Sequence, residues 1–223
     1  TQMKASILQA AIKGKLTEQL SSDGDARELL KKIQAEKSRL VEEGKIKREK
    51  SLPKISEDEI PFDIPENWVW CRFLEIAVLV SGRDLKSDMY NDKEEGIPYI
   101  TGASNFDNKK LLINRWTNQP QVIANKGDLL LTCEGTVGEM AFLNENKAHI
   151  ARQVMAIKPI GKLDLHYLLV FFEFYVDKLV AMAKSIIPGI NRSMVLNAVV
   201  PLPPLAEQRR IVERLDELIP LCD

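Results

Sequence analysis

The side chains with the clearest binding chemistry lie in five polar loops between apolar segments. These loops are rich in Arg, Lys, Asn and Gln and span 83–86, 105–110, 115–119, 152–153 and 191–192. Arginine and lysine donate hydrogen bonds to phosphates and to guanine, and the amides of asparagine and glutamine pair with adenine. The pattern is typical of a surface that reads nucleic acid. Ordinary solvated loops have the same composition, however, so composition alone leaves both interpretations open.

The candidate DNA contacts divide by side-chain chemistry. We predict that the cations contact phosphate or guanine and that the amides contact adenine, each good base contact contributing about 1–3 kcal/mol of discrimination. The cations are Arg83, Lys86, Lys109, Lys110, Arg115, Arg152 and Arg192, and the amides are Asn105, Gln153 and Asn191.

Catalytic and metal chemistry are not indicated. His149 and His166 have no nucleophile motif and no elbow sequence around them. Cys71, Cys133 and Cys222 are scattered and odd in number, so we expect neither a disulfide framework nor a metal site. The chain is therefore predicted to be non-catalytic and to need no cofactor.

Glycine spacing marks a turn in the middle of the chain. The segment Gly135-Thr-Val-Gly138 could cradle a phosphate through its backbone N–H groups. It lacks the lysine of a P-loop and does not open a helix, so we interpret it as a tight turn between two strands.

The loops depend on the elements between them for their positions. Period-two patterns predict strands, and periods near 3.6 predict helices. Strands are predicted at 97–101, 128–133, 140–143, 153–158 and 198–202, and 68–74 is expected to be a strand or a short helix entry. Helices are predicted at 4–20, from Asp25 onward, at 165–183, at 192–197 and from Pro204 onward, with a loop at 187–190.

The terminal helices are amphipathic, and their apolar stripes need something to pack against. Asp25 and Glu28 resemble a capping box at the start of the second helix. We predict that the stripes are buried on a helical partner through six side chains: Leu16, Leu29, Ile33, Ile211, Leu215 and Leu218.

Composition limits the classes of protein. The 223 residues carry a net charge of −1, which argues against nonspecific coating of nucleic acid. Residues 1–54 hold 13 Lys and Arg against 8 Asp and Glu, whereas the remainder holds 18 against 24. No apolar run is long enough to span a bilayer, and there is no signal-peptide pattern. The lack of both patterns, together with the scattered cysteines, favours a cytoplasmic protein without membrane contact.

An ordered set of short motifs resembles the specificity subunit of type I restriction–modification systems. The motifs follow one another over nearly the whole chain, and the last is the most specific. They are Ser6-Ile-Leu-Gln-Ala-Ala-Ile-Lys-Gly-Lys-Leu16, Ile64-Pro-Glu-Asn-Trp-Val-Trp70, Gly96-Ile-Pro-Tyr-Ile100, Gly127-Asp-Leu-Leu-Leu-Thr132, Gly135-Thr-Val-Gly138 and Pro201-Leu-Pro-Pro-Leu-Ala-Glu-Gln208.

The resemblance implies an architecture and a set of partners. It implies an α+β fold in which one mixed α/β target recognition domain is flanked by amphipathic helices of a coiled-coil spacer. Such a subunit binds double-stranded DNA at a split site, directs modification (methyltransferase) subunits and a restriction subunit to it, and is not itself an enzyme. The expected regions are a helical spacer at 1–50, a linker at 51–65, the recognition domain at 66–203 and the start of a spacer helix at 204–223.

Specificity subunits of the family that this sequence resembles contain two recognition domains, whereas only one is visible here. We therefore expect a half subunit or a fragment, which pairs through its helices with a second copy or a second half subunit. The alternative is a helical scaffold whose acidic central domain binds protein rather than DNA. A DNA affinity that does not change with salt would favour this alternative.

Overall fold

The computed structural model describes residues 2–183 and 189–222. The described chain contains helices of very different length and many short strands. The helices are α1 (Gln2–Ile12), α2 (Ala26–Glu42), α3 (Phe73–Ile76), α4 (Leu165–Ala183), α5 (Arg192–Leu196) and α6 (Leu205–Leu218). The strands are β1 (Val69–Arg72), β2 (Ala77–Ser81), β3 (Ile97–Ile100), β4 (Phe106–Asp107), β5 (Lys110–Leu111), β6 (Trp116–Thr117), β7 (Ile123–Asn125), β8 (Leu129–Thr132), β9 (Met140–Phe142), β10 (Lys147–Ile150), β11 (Val154–Pro159) and β12 (Val199–Leu202).

The first predicted helix is shorter than its apolar pattern suggested. It ends at Ile12 because Gly14 adopts a φ of 67°, in the left-handed region that terminates helices. Leu16 therefore lies outside any helix, and the prediction of a helix to residue 20 was wrong in its second half. The predicted start of α2 is confirmed, since an Asp25 carboxylate oxygen accepts a hydrogen bond from Arg27 N at 2.7 Å.

The first compact unit combines three parts of the chain: Thr1–Val78, Pro159–Tyr175 and Leu196–Asp223. Strands β1 and β12 pair antiparallel within it, with Val69 opposite Leu202. Its core is aromatic and includes Trp68 and Tyr167, whose rings meet edge to face at 6.4 Å. The Tyr167 hydroxyl donates to the Pro201 carbonyl at 2.5 Å, so this buried polar group is satisfied.

The second compact unit comprises Leu79–Lys158 and Val176–Val195. It holds two four-stranded sheets with the orders β6-β3-β10-β7 and β2-β11-β8-β9, and a separate hairpin of β4 and β5. Strands β3 and β10 are parallel, whereas β8 pairs antiparallel with both β9 and β11. Ile100, Leu130, Ile150 and Val154 are fully buried in its core.

The mixed α+β fold class predicted from the sequence is confirmed, with helices flanking the sheets. The buried strand β8, the turn at 135–138, helix α4 and helix α6 lie where their patterns placed them. The strands β2, β4, β5, β6, β7 and β10 were not predicted. The expected loop at 187–190 lies partly outside the described residues. The compact units differ from the expected linear boundaries, and the recognition domain at 66–203 stays a prediction.

Candidate nucleic-acid interface

Several of the polar loops meet at one edge of the second unit. Arg83 N donates to the Ile150 carbonyl at 2.9 Å, which places the segment after β2 alongside the end of β10. Arg152 N donates to an Asp84 carboxylate oxygen at 3.1 Å and joins the turn after β10 to the same segment. We call this surface the loop edge and define it as residues 82–86, 133–134, 151–153 and 189–192.

The remaining parts of the loop edge are joined by backbone and side-chain contacts. Ile190 N donates to the Cys133 carbonyl at 2.8 Å, and Glu134 forms a β-bridge with Gly189. The guanidinium of Arg192 donates to the Leu79 carbonyl at 2.6 Å, which connects the start of α5 to β2. The fold thus brings together loops that are far apart in sequence.

A glycine allows the closest of these approaches. A Cβ atom on Gly82 would lie 2.0 Å from the Ala151 carbonyl oxygen, so no larger residue fits at this position. Gly82 N also donates to the Val154 carbonyl at 3.1 Å. The segment that carries Arg83 and Asp84 is consequently held against the junction of β10 and β11.

His149 supports the same segment from inside the unit. Its ring is buried, with Nε2 2.8 Å from the Arg83 carbonyl oxygen and Nδ1 3.1 Å from Val122 N. Burial lowers the pKa of His149 and favours the neutral ring, which can donate through Nε2 and accept through Nδ1. His149 therefore has a structural role, because its contact with the Arg83 carbonyl holds the backbone of Arg83 in place.

The loop edge carries cations together with two carboxylates. Arg83, Lys86 and Arg152 are exposed. The Arg152 Nε atom lies 2.9 Å from a carboxylate oxygen of Asp84 and 3.7 Å from one of Glu134. Sequence reasoning missed both acidic residues because it selected only cations and amides. The signal that could have found Asp84 is its position between the cations Arg83 and Lys86.

Three predicted contacts at the loop edge have partners within the chain. The Asn191 amide oxygen accepts from Met194 N at 3.0 Å and from the Ser193 hydroxyl at 2.6 Å, and so caps the start of α5. Arg192 is anchored to β2 as described above. Gln153 is half-buried against Gly102, where a Cβ would lie 2.2 Å from its amide oxygen. Their DNA contacts stay predictions.

Asn105 requires a correction. It is fully buried, and its amide oxygen accepts from Thr101 N at 2.8 Å while its amide nitrogen donates to the Leu112 carbonyl at 2.8 Å. An amide engaged in this way has no free edge for adenine. Asn105 instead closes the loop from which the β4–β5 hairpin emerges.

The β4–β5 hairpin presents a basic tip. Asp107 pairs with Lys110, and the two residues between them, Asn108 and Lys109, have φ values of 46° and 64°. Two consecutive left-handed residues define a tight type I′ hairpin turn, which usually contains glycine. Lys109 and Lys110 are exposed at this tip. The hairpin is therefore a second candidate DNA contact, with Asn108 as a residue that sequence reasoning missed.

Arg115 lies near the start of β6 and has an aromatic partner. Its guanidinium carbon is 5.0 Å from the centre of the Tyr90 ring, in a cation–π contact, and the residue remains exposed. The Tyr90 ring in turn lies 5.4 Å from the Tyr99 ring. The Tyr99 hydroxyl accepts a hydrogen bond from Leu85 N at 3.2 Å. The cation–π contact and the packing of Tyr90 against Tyr99 therefore restrict the position of the Arg115 side chain.

The predicted helical interface is partly used within the chain itself. Ile33, Ile211 and Leu215 are at most 4% exposed in the single chain, so they are core residues and not an open partner surface. This corrects their assignment. Leu16, Leu29 and Leu218 are half-buried and remain candidates for contact with a partner helix.

A buried carboxylate in α6 connects motifs that the sequence left separate. Glu207 is fully buried and accepts hydrogen bonds from Trp68 Nε1 at 2.8 Å, Gln19 Nε2 at 2.6 Å and the Thr17 hydroxyl at 3.0 Å. The amphipathic pattern of α6 does not single out Glu207, because a carboxylate is expected on the exposed side of such a helix. The indole N–H of a buried tryptophan, which needs an acceptor, is the signal that could have found it.

The described parts of the chain show neither a metal-ligand group nor a membrane-spanning helix. Residues 2–183 and 189–222 contain no group of three or more His, Cys, Asp or Glu side chains arranged to hold a metal ion. Among the same residues, no helix is both long and apolar enough to cross a bilayer. Cys71, Cys133 and Cys222 are buried, and they form no disulfide bond among the described residues.

Comparison with known proteins identifies similar chains. Residues 65–222 match the family model described as the type I restriction modification DNA specificity domain. The EcoAI specificity subunit of Escherichia coli is 30% identical over 99% of this chain and 40% of its own length. The EcoEI specificity subunit of Escherichia coli is 32% identical over 97% of this chain and 39% of its own length. The chain thus spans about 40% of the length of these two relatives.

Solved structures show the same architecture. The HsdS subunit from Thermoanaerobacter tengcongensis superposes with a TM-score of 0.65 at 26% identity, over 88% of this chain and 46% of its own. A chain from a structure that describes assembly and conformational transition of a type I restriction–modification system gives a TM-score of 0.67 at 26% identity, over 88% of this chain and 47% of its own.

Proposed function

The chain belongs to the type I restriction modification DNA specificity family, and on that premise we propose that it is a sequence-specific DNA-recognition part of a type I complex. It reads one half of a split site in double-stranded DNA through the loop edge and the β4–β5 hairpin. The observation that carries this proposal is the family match over 65–222, which includes all of these loops.

The proposed partners follow from the same premise. The chain directs modification (methyltransferase) subunits and a restriction subunit to the site, and it contributes no catalytic group itself. A second recognition domain, from another copy or a second half subunit joined through the helices, reads the other half of the site. We place the complex in the cytoplasm, where the DNA lies in bacteria such as those that hold the relatives, and the lack of disulfide bonds among the described cysteines agrees with this.

The charges of the loop edge support binding to DNA. Arg83 and Lys86 are exposed and have no ion-pair partner among the described residues, so they are available to phosphates. Phosphate contacts release counterions from DNA, and each one adds about one unit to the slope of log affinity against log salt. The proposal therefore predicts a salt-dependent affinity, whereas a protein-binding scaffold would show none.

The test is to co-express the chain with its modification subunit and to map methylated bases in the host DNA. The expected result is a split motif that appears with the chain and is absent without it. Replacing Arg83 and Lys86 together by alanine should weaken DNA binding and lower the salt slope. The matched control replaces Lys31 and Lys32, two exposed cations of α2, and should leave both unchanged. Absence of any new methylation would refute the proposal.

A further inference from the structure

We propose that Arg152 recognises a guanine of the half-site and that Asp84 and Glu134 are positioning residues that orient its guanidinium. The inference rests on the proposed DNA-reading function and adds a specific base and three specific side chains to it. It starts from the only arginine of the loop edge that, among the described residues, contacts two carboxylates.

Hydrogen bonds of both neighbouring residues fix the backbone at Arg152. The residue lies in the short turn where the chain passes from β10 to β11, between Ala151, which is 2% exposed, and Gln153. Ala151 N donates to the Ile100 carbonyl at 2.9 Å, and Cys133 N donates to the Gln153 carbonyl at 2.8 Å. The Arg152 side chain therefore begins from a rigid point although it is itself exposed.

The side chain is oriented by the same carboxylate that holds its backbone. One oxygen of Asp84 accepts from Arg152 N at 3.1 Å, and the other lies 2.9 Å from Arg152 Nε. Glu134 approaches Nε from a second segment at 3.7 Å. The approach recorded for each carboxylate is to Nε, and no terminal nitrogen of the guanidinium donates a hydrogen bond to a described residue, so the terminal donors stay available. These terminal donors have the spacing that matches the O6 and N7 acceptors of guanine.

Stability does not account for this arrangement. The side chains of Arg152, Asp84 and Glu134 are 64%, 53% and 44% exposed, and ion pairs so exposed contribute little to folding. Their effect is to restrict a long flexible side chain before DNA arrives. Rotational freedom that is lost during folding is not lost again on binding, so a restricted arginine binds its base more tightly.

The local charge favours a base over a phosphate. Arg152 is surrounded by two carboxylates, and this trio carries a net negative charge that repels a phosphate group. The edge of guanine is neutral and presents two acceptors, so it lacks this repulsion. Arg83 and Lys86, which have no ion-pair partner among the described residues, are better placed to bind the phosphates beside it.

The experiment uses the assembled complex and the split site found by methylation mapping. Each guanine of the half-site is replaced in turn by 7-deazaguanine, which lacks the N7 acceptor. The wild-type complex should lose about tenfold or more in affinity at one guanine, the range expected for one bidentate contact. Arg152→Ala should lose a similar factor with unmodified DNA and should show no further loss with 7-deazaguanine at that position.

Variants of the positioning residues test the second half of the inference. Asp84→Asn keeps an oxygen for Arg152 N but removes the charge beside Nε, and Glu134→Gln removes the second charge. Both should shrink the 7-deazaguanine penalty at that one guanine and leave the penalties at other bases unchanged. A general loss of structure would change all positions alike. Arg39→Ala is the matched control, because Arg39 is an exposed arginine of α2 that also contacts two carboxylates, those of Glu36 and Glu43.

Three results would overturn the inference while leaving the DNA-reading function in place. The first is an Arg152→Ala complex that keeps the wild-type penalty at every guanine. The second is a loss of affinity that is equal for cognate and unrelated DNA, which would identify a phosphate contact. The third is a half-site without guanine. A wild-type complex that methylates no split site would instead contradict the proposed function itself.

Discussion

The two compact units use the same types of polar side chain in opposite ways. In the first unit, Glu207 and Asp23 are buried and satisfied by partners from distant parts of the chain. In the second unit, Arg83 and Arg152 are exposed on backbone that is fixed from behind. The residue type of a polar side chain therefore does not reveal whether the fold encloses it among partners or leaves it exposed on a fixed backbone.

Two bidentate ion pairs connect separate segments of the first unit. The Arg72 guanidinium pairs with both oxygens of Glu59 at 2.7 and 2.8 Å, and the Arg210 guanidinium pairs with both oxygens of Asp23 at 2.7 and 2.6 Å. Each pair joins segments that are distant in sequence. Losing one partner leaves a charge without compensation, so these residues are not interchangeable with other polar residues.

The largest effect is expected from Leu215→Asp. Leu215 is 4% exposed inside the chain, so the substitution places an unpaired carboxylate in the core and should lower the free energy of unfolding by about 4 kcal/mol or more. Leu218, half-buried one turn later, is the matched control, and Leu218→Asp should leave the fold intact. Urea denaturation compares the two variants. Equal stability of both would show that α6 packs outside this chain.

A slightly smaller loss is expected from Glu207→Ala. The substitution leaves the indole N–H of Trp68 and the other donors without an acceptor, which should lower the free energy of unfolding by about 3 kcal/mol. Glu213→Ala changes an exposed residue of the same helix and should cost less than about 0.5 kcal/mol. Thermal unfolding followed by circular dichroism measures both. If the two variants unfold alike, Glu207 has no structural role.

The ion pair between Arg72 and Glu59 should make the stability of the protein depend on pH. The Arg72 guanidinium lowers the pKa of Glu59 from its ordinary value of 4.5 to about 2. Because the folded pKa is the lower one, the stabilisation is present above pH 4.5 and is lost as the pH falls towards 2. Glu59→Gln should flatten the fall in unfolding free energy over this window, whereas Glu57→Gln, in the same exposed turn, should not.

The smallest effect concerns the hairpin of the second unit. Lys109→Gly removes a charge but suits the φ of 64°, so folding should be unchanged or slightly improved while DNA affinity falls several-fold and the salt slope falls by about one unit. Glu94→Gly is the control, because Glu94 has a φ of 60° in another loop. Fluorescence anisotropy at several salt concentrations gives both quantities. An unchanged slope for Lys109→Gly would remove the hairpin from the interface.

Much of the local structure could be predicted because its causes are local. Asp25 caps α2, the stripe of α6 has a helical period, and glycines at 135 and 138 adopt φ values of 72° and 93° in the predicted turn. The missed strands of the two four-stranded sheets are nonlocal in origin. Strand β10 was missed because its residues, Lys147 to Ile150, form a strand through pairing with β3 and β7 and not through a clear pattern of their own.

The sequence by itself determined the family, the polar loops and most helices, since these depend on residue order, periodicity and capping. The tertiary structure alone decided which polar residues are buried and which apolar stripes are already covered. Asn105 looks like a surface residue until its partners are found 3 to 9 residues away, and Glu207 until its donors are found 139 to 190 residues away along the chain. The partners of a side chain in space set the free energy of burying it, and residue order does not specify those partners.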